Sequence, residues 1–306
     1  THPKGPPTKP TTNSEVIAMK TFAAPQPITA IVDVILGDIR VTASDRDDCT
    51  VTIRPRDELR QADVRAAEAA QVEFANNHLT VRVSKSWQRF TGASKNDGAV
   101  TVEVSLPTDS TLRATTGKGD IRGEGELGQT ATRTGLGNIR LDGVGTLRAR
   151  TGLGDITVDD VTADATVTTN TGALRLGSIH GSATIKNSNG SVEITECGRY
   201  AHVRTASGDI SIGRALTSII AVSAAGDIRI AEVSAGSVTA RTGAGAVEIG
   251  VRDGITAWLE ATARYGAVRN GLTASGAPDA STAPVEIHAR SVGGDVTISK
   301  AVAAWI

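Results

Sequence analysis

Aromatic residues are nearly missing from this sequence: three Trp, two Tyr and three Phe among 306 residues, or 3%. A hydrophobic share of 39% still permits a core, but an aliphatic and thin one, which argues against large aromatic-lined pockets. Cysteine is just as scarce. Cys49 and Cys197 are too few for a disulfide framework and lack the clustered partners of a zinc site, so no metal is expected. Cys49 alternates with Val51 and Ile53 against polar neighbours, which places it on the buried side of a strand. Charge of one sign is absent too. With 32 basic and 33 acidic residues, the formal charge of -1 offers no whole-chain attraction to phosphate backbones, so nucleic acid is not an expected partner. No apolar run approaches the roughly 20 residues that span a bilayer, and no basic-then-apolar signal opens the chain, so membrane insertion is not expected.

Proline is concentrated where patterning is not. Residues 1–18 hold Pro3, Pro6, Pro7 and Pro10 and read as a flexible Pro/Thr-rich leader or linker. Met19, the single methionine, stands where the patterned sequence begins. A native start there makes the protein cytoplasmic; a cleaved upstream signal makes it secreted or cell-surface.

What the chain has in plenty is a repeat. Gly119-Asp120-Ile121-Arg122, Gly137-Asn138-Ile139-Arg140, Gly154-Asp155-Ile156-Thr157 and Gly172-Ala173-Leu174-Arg175 share one pattern with Gly190-Ser191-Val192-Glu193, Gly208-Asp209-Ile210-Ser211, Gly226-Asp227-Ile228-Arg229 and Gly245-Ala246-Val247-Glu248. Successive glycines lie 18, 17, 18, 18, 18, 18 and 19 residues apart, with weaker copies at Gly266 and Gly294 and an isolated one at Gly37. Each copy continues with period 2, so that Ile156 and Val158, or Ile210 and Ile212, point one way. A second strand precedes each glycine, with inward pairs Leu112/Ala114, Leu147/Ala149, Ala165/Val167, Ala183/Ile185, Ala201/Val203, Ile219/Ala221 and Val238/Ala240. Every pair joins one larger and one small side chain, as a narrow interior of fixed width demands; Thr130/Thr132 is the exception. The expected fold is all-β: a parallel β-helix, or β-solenoid, with coils of about 18 residues.

The ends depart from the repeat. Residues 19–113 are expected to form a β-rich N-terminal cap containing one helix over residues 58–75. Residues 114–300 form the solenoid, with a loop at 271–284, and 301–306 are an apolar tail. SWQRFTGASKNDG, residues 86–98, reads as a further loop.

The opening MKTF, the run GDIRVTASDRDDCTVTIRP, the recurring Thr-Gly-x-Gly-Asp-Ile and the closing ARYGAVRNGL and EIHARSVGGDVTI together resemble the bacterial DUF4097 β-strand-repeat family, which is common in actinobacteria and carries an adhesin label. The resemblance runs from Met19 to Lys300. It implies a right-handed β-helix and no assigned chemistry.

The most suggestive constellation is an outward line of Asp120, Asn138, Asp155, Asp209 and Asp227, with Arg122, Arg140 and Arg229 two residues on. Such rows resemble those of β-helical polysaccharide lyases and hydrolases, where acids bind calcium or protonate a sugar. Against catalysis, an Asp or Asn after a corner glycine can bond the local backbone, and Ala173, Ser191 and Ala246 break the row. The glycine pairs lack the third glycine or the Gly-Lys-Ser/Thr of a nucleotide loop, and the aspartates are misplaced for calcium-binding nonapeptides. Trp258, Arg264 and Tyr265 form the other candidate group, lining a groove or covering the last coil.

The expected function is a non-enzymatic scaffold or interaction protein, without cofactor or metal, whose faces bind a protein or glycan. The alternatives are a carbohydrate-active lyase or hydrolase, and a coat or filament protein self-associating through the solenoid ends.

Overall fold

The computed structural model describes residues 18–83, 98–272 and 284–301 and shows a parallel β-solenoid. Each coil runs through a strand such as Ala165–Thr171, turns at a glycine, here Gly172, and returns through a second strand, here Leu174–Ile179. Equivalent strands of successive coils pair in parallel register: Ala165 faces Ala183, and Leu174 faces Val192. The strands before the glycines build one wall, the pre-glycine sheet, and those after build the post-glycine sheet. Thr29–Ser44 passes from one wall to the other through Gly37 without a break.

The core lies between the walls. All seven inward pairs are buried, so the alternation of large and small side chains does set the width of the interior. Thr130 and Thr132 take the same positions, and the Thr132 hydroxyl has no partner among the described residues. Opposite them run the expected aliphatic ladders, such as Leu174, Val192, Ile210 and Ile228. A third ladder, not anticipated from the sequence, passes through Val144, Val161, Ile179, Cys197, Ala215 and Val233. Cys197 is thus a core residue, like Cys49, and burial pushes their thiols up to about 12 and about 11.

The corner explains the glycine period. Gly119 to Gly245 turn with φ between 126° and 151°, where an L side chain is strained, and a Cβ on Gly137 would run into the Gly119 carbonyl of the coil before. That carbonyl accepts instead from the buried hydroxyl of Thr134 at 3.0 Å; Thr116, Thr151, Ser223, Thr242 and Ser291 serve five further corners in the same way. A polar ladder inside the core follows from the corner geometry, because buried carbonyls need donors.

Chain order and spatial order part company at both ends. The isolated glycine copy, Gly37, stacks directly on Gly119, and the coil Thr29–Ser44 lies between Thr111–Leu127 on one side and the strands His78–Val83 and Val100–Pro107 on the other. At the C-terminal end, Val285–Lys300 inserts between the coil ending at Val251 and the one formed by Ala257–Ala263 and Val268–Asn270. Burial gives the reason. Val285, Ile287, Ala289, Val296 and Ile298 are fully inward and suit a coil covered on both sides, whereas Leu259 is half-buried and Val268 exposed.

The N-terminal cap differs from expectation in its helix, which covers only Gln61–Glu68; Gln71–Ala75 is a strand antiparallel to His78–Val83. Val72 and Phe74 alternate toward the core, and Phe74 stacks on Phe22 at 5.0 Å, so packing of a period-2 pair overrides the helix-favouring composition of the segment. Antiparallel strands Asp48–Pro55 and Ala18–Ala23 close the post-glycine sheet. Residues 1–17, the loop expected at 271–284 apart from its ends, most of the loop 86–98 and the tail beyond Ala301 lie outside the described residues.

Candidate functional site

The Asp row of the sequence is a row in space, at the turn where each chain enters the post-glycine sheet. Its carboxylates are engaged with the backbone. Asp120 accepts from the Asn138 N–H at 2.8 Å, Asn138 from Asp155 at 2.9 Å, and Asp155 from Ala173 at 2.8 Å. Asp209 accepts from Asp227 at 2.8 Å, and Asp227 from Ala246 at 2.7 Å. The series continues at Asp38, which accepts from Asp120, and at Asp295, which accepts from Ala267. Each side chain satisfies the N–H of the matching residue one coil on. Ala173 and Ala246 interrupt the row as acceptors but still donate to it. Asn138 serves as well as aspartate, so the position requires an acceptor oxygen rather than a titrating acid.

The arginines two residues later stand outward on the same sheet. Arg122 reaches Asp120 at 3.9 Å, and Arg229 lies 3.8 Å from Glu248. Arg140 stacks between Arg122 and Thr157. Beside Arg122 a shallow depression of about 200 Å³ is lined by Arg40, Glu103 and Glu124, below the roughly 300 to 1,000 Å³ of a typical small-ligand pocket. Glu103 is shared there between Arg40 at 3.4 Å and Arg54 at 3.8 Å.

The second candidate group does not come together as one cluster. The Arg264 guanidinium sits 5.2 Å from the Tyr265 ring centre, while Trp258 packs edge-on against His288 at 5.5 Å. Trp258 and Arg264 are six positions apart along an extended strand, about 20 Å. Both Trp258 and Tyr265 are exposed, and Trp258 alternates with the half-buried Leu259 along its strand. His288 also meets Glu260 at 2.9 Å, and His180 meets Asp160 at 3.1 Å. Among the described residues no group of three or more His, Cys, Asp or Glu is placed to hold a metal ion.

Sequence reasoning did not single out the outward rows of the pre-glycine sheet. Periods of 2 and 18 together place Arg133, Arg150, Lys186 and Arg204 in one such row, and the register confirms it.

A family model described as Toastrack DUF4097 matches residues 32–299. The chain belongs to the DUF4097 family. Solved structures resemble it at low identity. A "putative adhesin" from Bacteroides fragilis is 13% identical, with a TM-score of 0.34, covering 92% of this chain and 96% of its own. A "putative lipid binding protein" from Parabacteroides distasonis is 14% identical, with a TM-score of 0.43 and the same coverage. No curated protein matches the chain. The DUF4097 repeat accounts for the glycine corners and their stacked acceptors.

Proposed function

We propose that this DUF4097 protein is a non-enzymatic interaction scaffold whose long outer faces bind a protein or glycan partner. The observation that supports this most is the use of the Asp row. A general acid or a metal ligand needs a carboxylate free to meet substrate or ion, and here one oxygen of each acid is committed to the next coil. The outer faces present side chains in in-register rows, about 4.8 Å from coil to coil, which suits an extended partner better than a small substrate.

The test is to incubate the full chain with a panel of plant, bacterial and animal polysaccharides and with a proteome array, measuring retention and product formation together. Retention without new reducing ends or unsaturated sugars is the expected result. Catalytic release of either product overturns the proposal, and so does a lack of retention throughout.

A further inference from the structure

The two outer faces differ in how they carry charge. On the post-glycine sheet, Arg122, Arg175, Arg214 and Arg229 each have a carboxylate within 4 Å. The pre-glycine strands from Thr111–Lys118 through Ser237–Ala244 contain no Asp or Glu. Their second outward position forms one row: after Asp33 and Thr115 come Arg133, Arg150, Thr168, Lys186, Arg204, Val222, Arg241 and then Arg290 of the inserted coil. All six cations are exposed, and among the described residues none has an ion-pair partner. Arg113 and Arg148 stand in the neighbouring row, about 7 Å away along the strands.

The spacing is regular. Cations come in adjacent pairs, Arg133/Arg150, Lys186/Arg204 and Arg241/Arg290, separated each time by one uncharged coil. At about 4.8 Å per coil the pairs repeat roughly every 14 Å, and the stretch from Arg133 to Arg290 spans roughly 34 Å. Like charges directly opposite on paired strands destabilise a sheet. The other face relieves most of its arginines with carboxylates, Arg140 beside Arg122 being the exception; this one leaves three such pairs unrelieved, as a face completed by an external anion would.

We infer that this row binds a linear acidic polysaccharide lying along the solenoid axis, an inference that rests on the scaffold reading above and names its partner. A row that repeats at every coil matches a repeating polyanion. Five of the six cations are arginine, whose planar fork pairs with carboxylate or sulfate through two hydrogen bonds. The row lacks aromatic rings on which nucleic-acid bases would stack, and lacks the buried aromatic anchors of a protein interface. Beside it Gly135, Gly152, Ser188, Ala206 and Gly243 leave the sheet surface low, so a flat sugar chain can approach the arginines from the side.

The experiment measures binding of the full chain to immobilised polygalacturonate (carboxylate) and heparin (sulfate), with dextran as the uncharged control, across a salt series. Binding to at least one of the two anionic glycans but not dextran is expected, weakening steeply with salt, since exposed charges are screened beyond about 8 Å at physiological ionic strength. The variant R133Q/R150Q/K186Q/R204Q should bind at least tenfold more weakly with a shallower salt dependence, whereas R122Q/R140Q on the opposite face should bind as the parent does. Unchanged thermal midpoints establish that both variants are folded. Equal losses in the two variants, no binding to either glycan at low salt, or tighter binding to polyglutamate, duplex DNA or phosphatidylserine vesicles overturns the inference. Binding through another face leaves the scaffold reading standing, while glycan cleavage removes both.

Discussion

Asn187 takes the hydrogen bond that Thr205 would otherwise make. Its amide nitrogen donates to the carbonyls of both Gly172, at 3.0 Å, and Gly190, at 2.8 Å. At the other corners the inward hydroxyl serves the glycine one coil back, so Gly190 is the natural acceptor for Thr205. The Thr205 hydroxyl is left buried and, among the described residues, without a partner.

Thr205→Val should therefore leave the thermal midpoint unchanged or raise it, because an isosteric apolar group removes an unsatisfied hydroxyl. Thr134→Val removes the donor to the Gly119 carbonyl and should cost about 1 to 3 kcal/mol. Denaturant unfolding of the two variants checks the pair; the opposite ranking would show that the corner ladder is misassigned.

Gly208 and Gly254 separate two reasons for needing glycine. Gly208 turns at φ 135° with its Cβ position against the Gly190 carbonyl, whereas Gly254 turns at φ 80° with nothing within 4 Å. Gly254→Ala should cost about 1 to 3 kcal/mol of backbone strain. Gly208→Ala should lower the midpoint further, since the Gly190 carbonyl must also move and take its coil with it. Similar midpoints for the two would argue against close stacking of the corners.

Ala183 sits beside Ile185 and faces Ala165 and Ala201 in the neighbouring coils. Ala183→Leu should overpack the interior and cost about 1 to 3 kcal/mol. Adding Ile185→Ala restores the volume in the order used by Ile219/Ala221, and the double variant should recover most of the loss. A double-mutant cycle in unfolding free energy measures this coupling.

Asp295 ties the terminal coil to the inserted one. It accepts from the Ala267 N–H at 2.9 Å and from Arg269 at 2.6 Å, and these, the backbone bond foremost, hold its carboxyl below the usual range. The stabilisation is complete above the unfolded carboxylate value of about 3.9 and is lost as pH falls through the lower folded value. Amide exchange at Ala267 and Arg269, corrected for intrinsic rates, should accelerate below about pH 4. Asp295→Asn should keep the bond to Ala267, as Asn138 does toward Asp155, and lose the pH dependence.

Much of this protein is written locally. The glycine period fixes the coil, because only glycine tolerates both the φ and the carbonyl of the preceding corner, and the alternation of pairs such as Ala183/Ile185 and Ile219/Ala221 follows from one narrow interior. The Asp row was legible as residues and ambiguous as chemistry, since nothing in the chain tells a free carboxylate from one that accepts the next coil's N–H.

Three features were decided only in the folded solenoid. Gly37 joins Gly119, and Val285–Lys300 slips inside the coil that precedes it in sequence, because parallel backbone ladders accept any strand with the right inward pattern. Gln71–Ala75 becomes a strand because Phe74 finds Phe22. A chain of net charge -1 also carries a run of eight pre-glycine strands without an acid, because strand alternation sorts charges to one wall or the other, and composition cannot record which wall a residue faces.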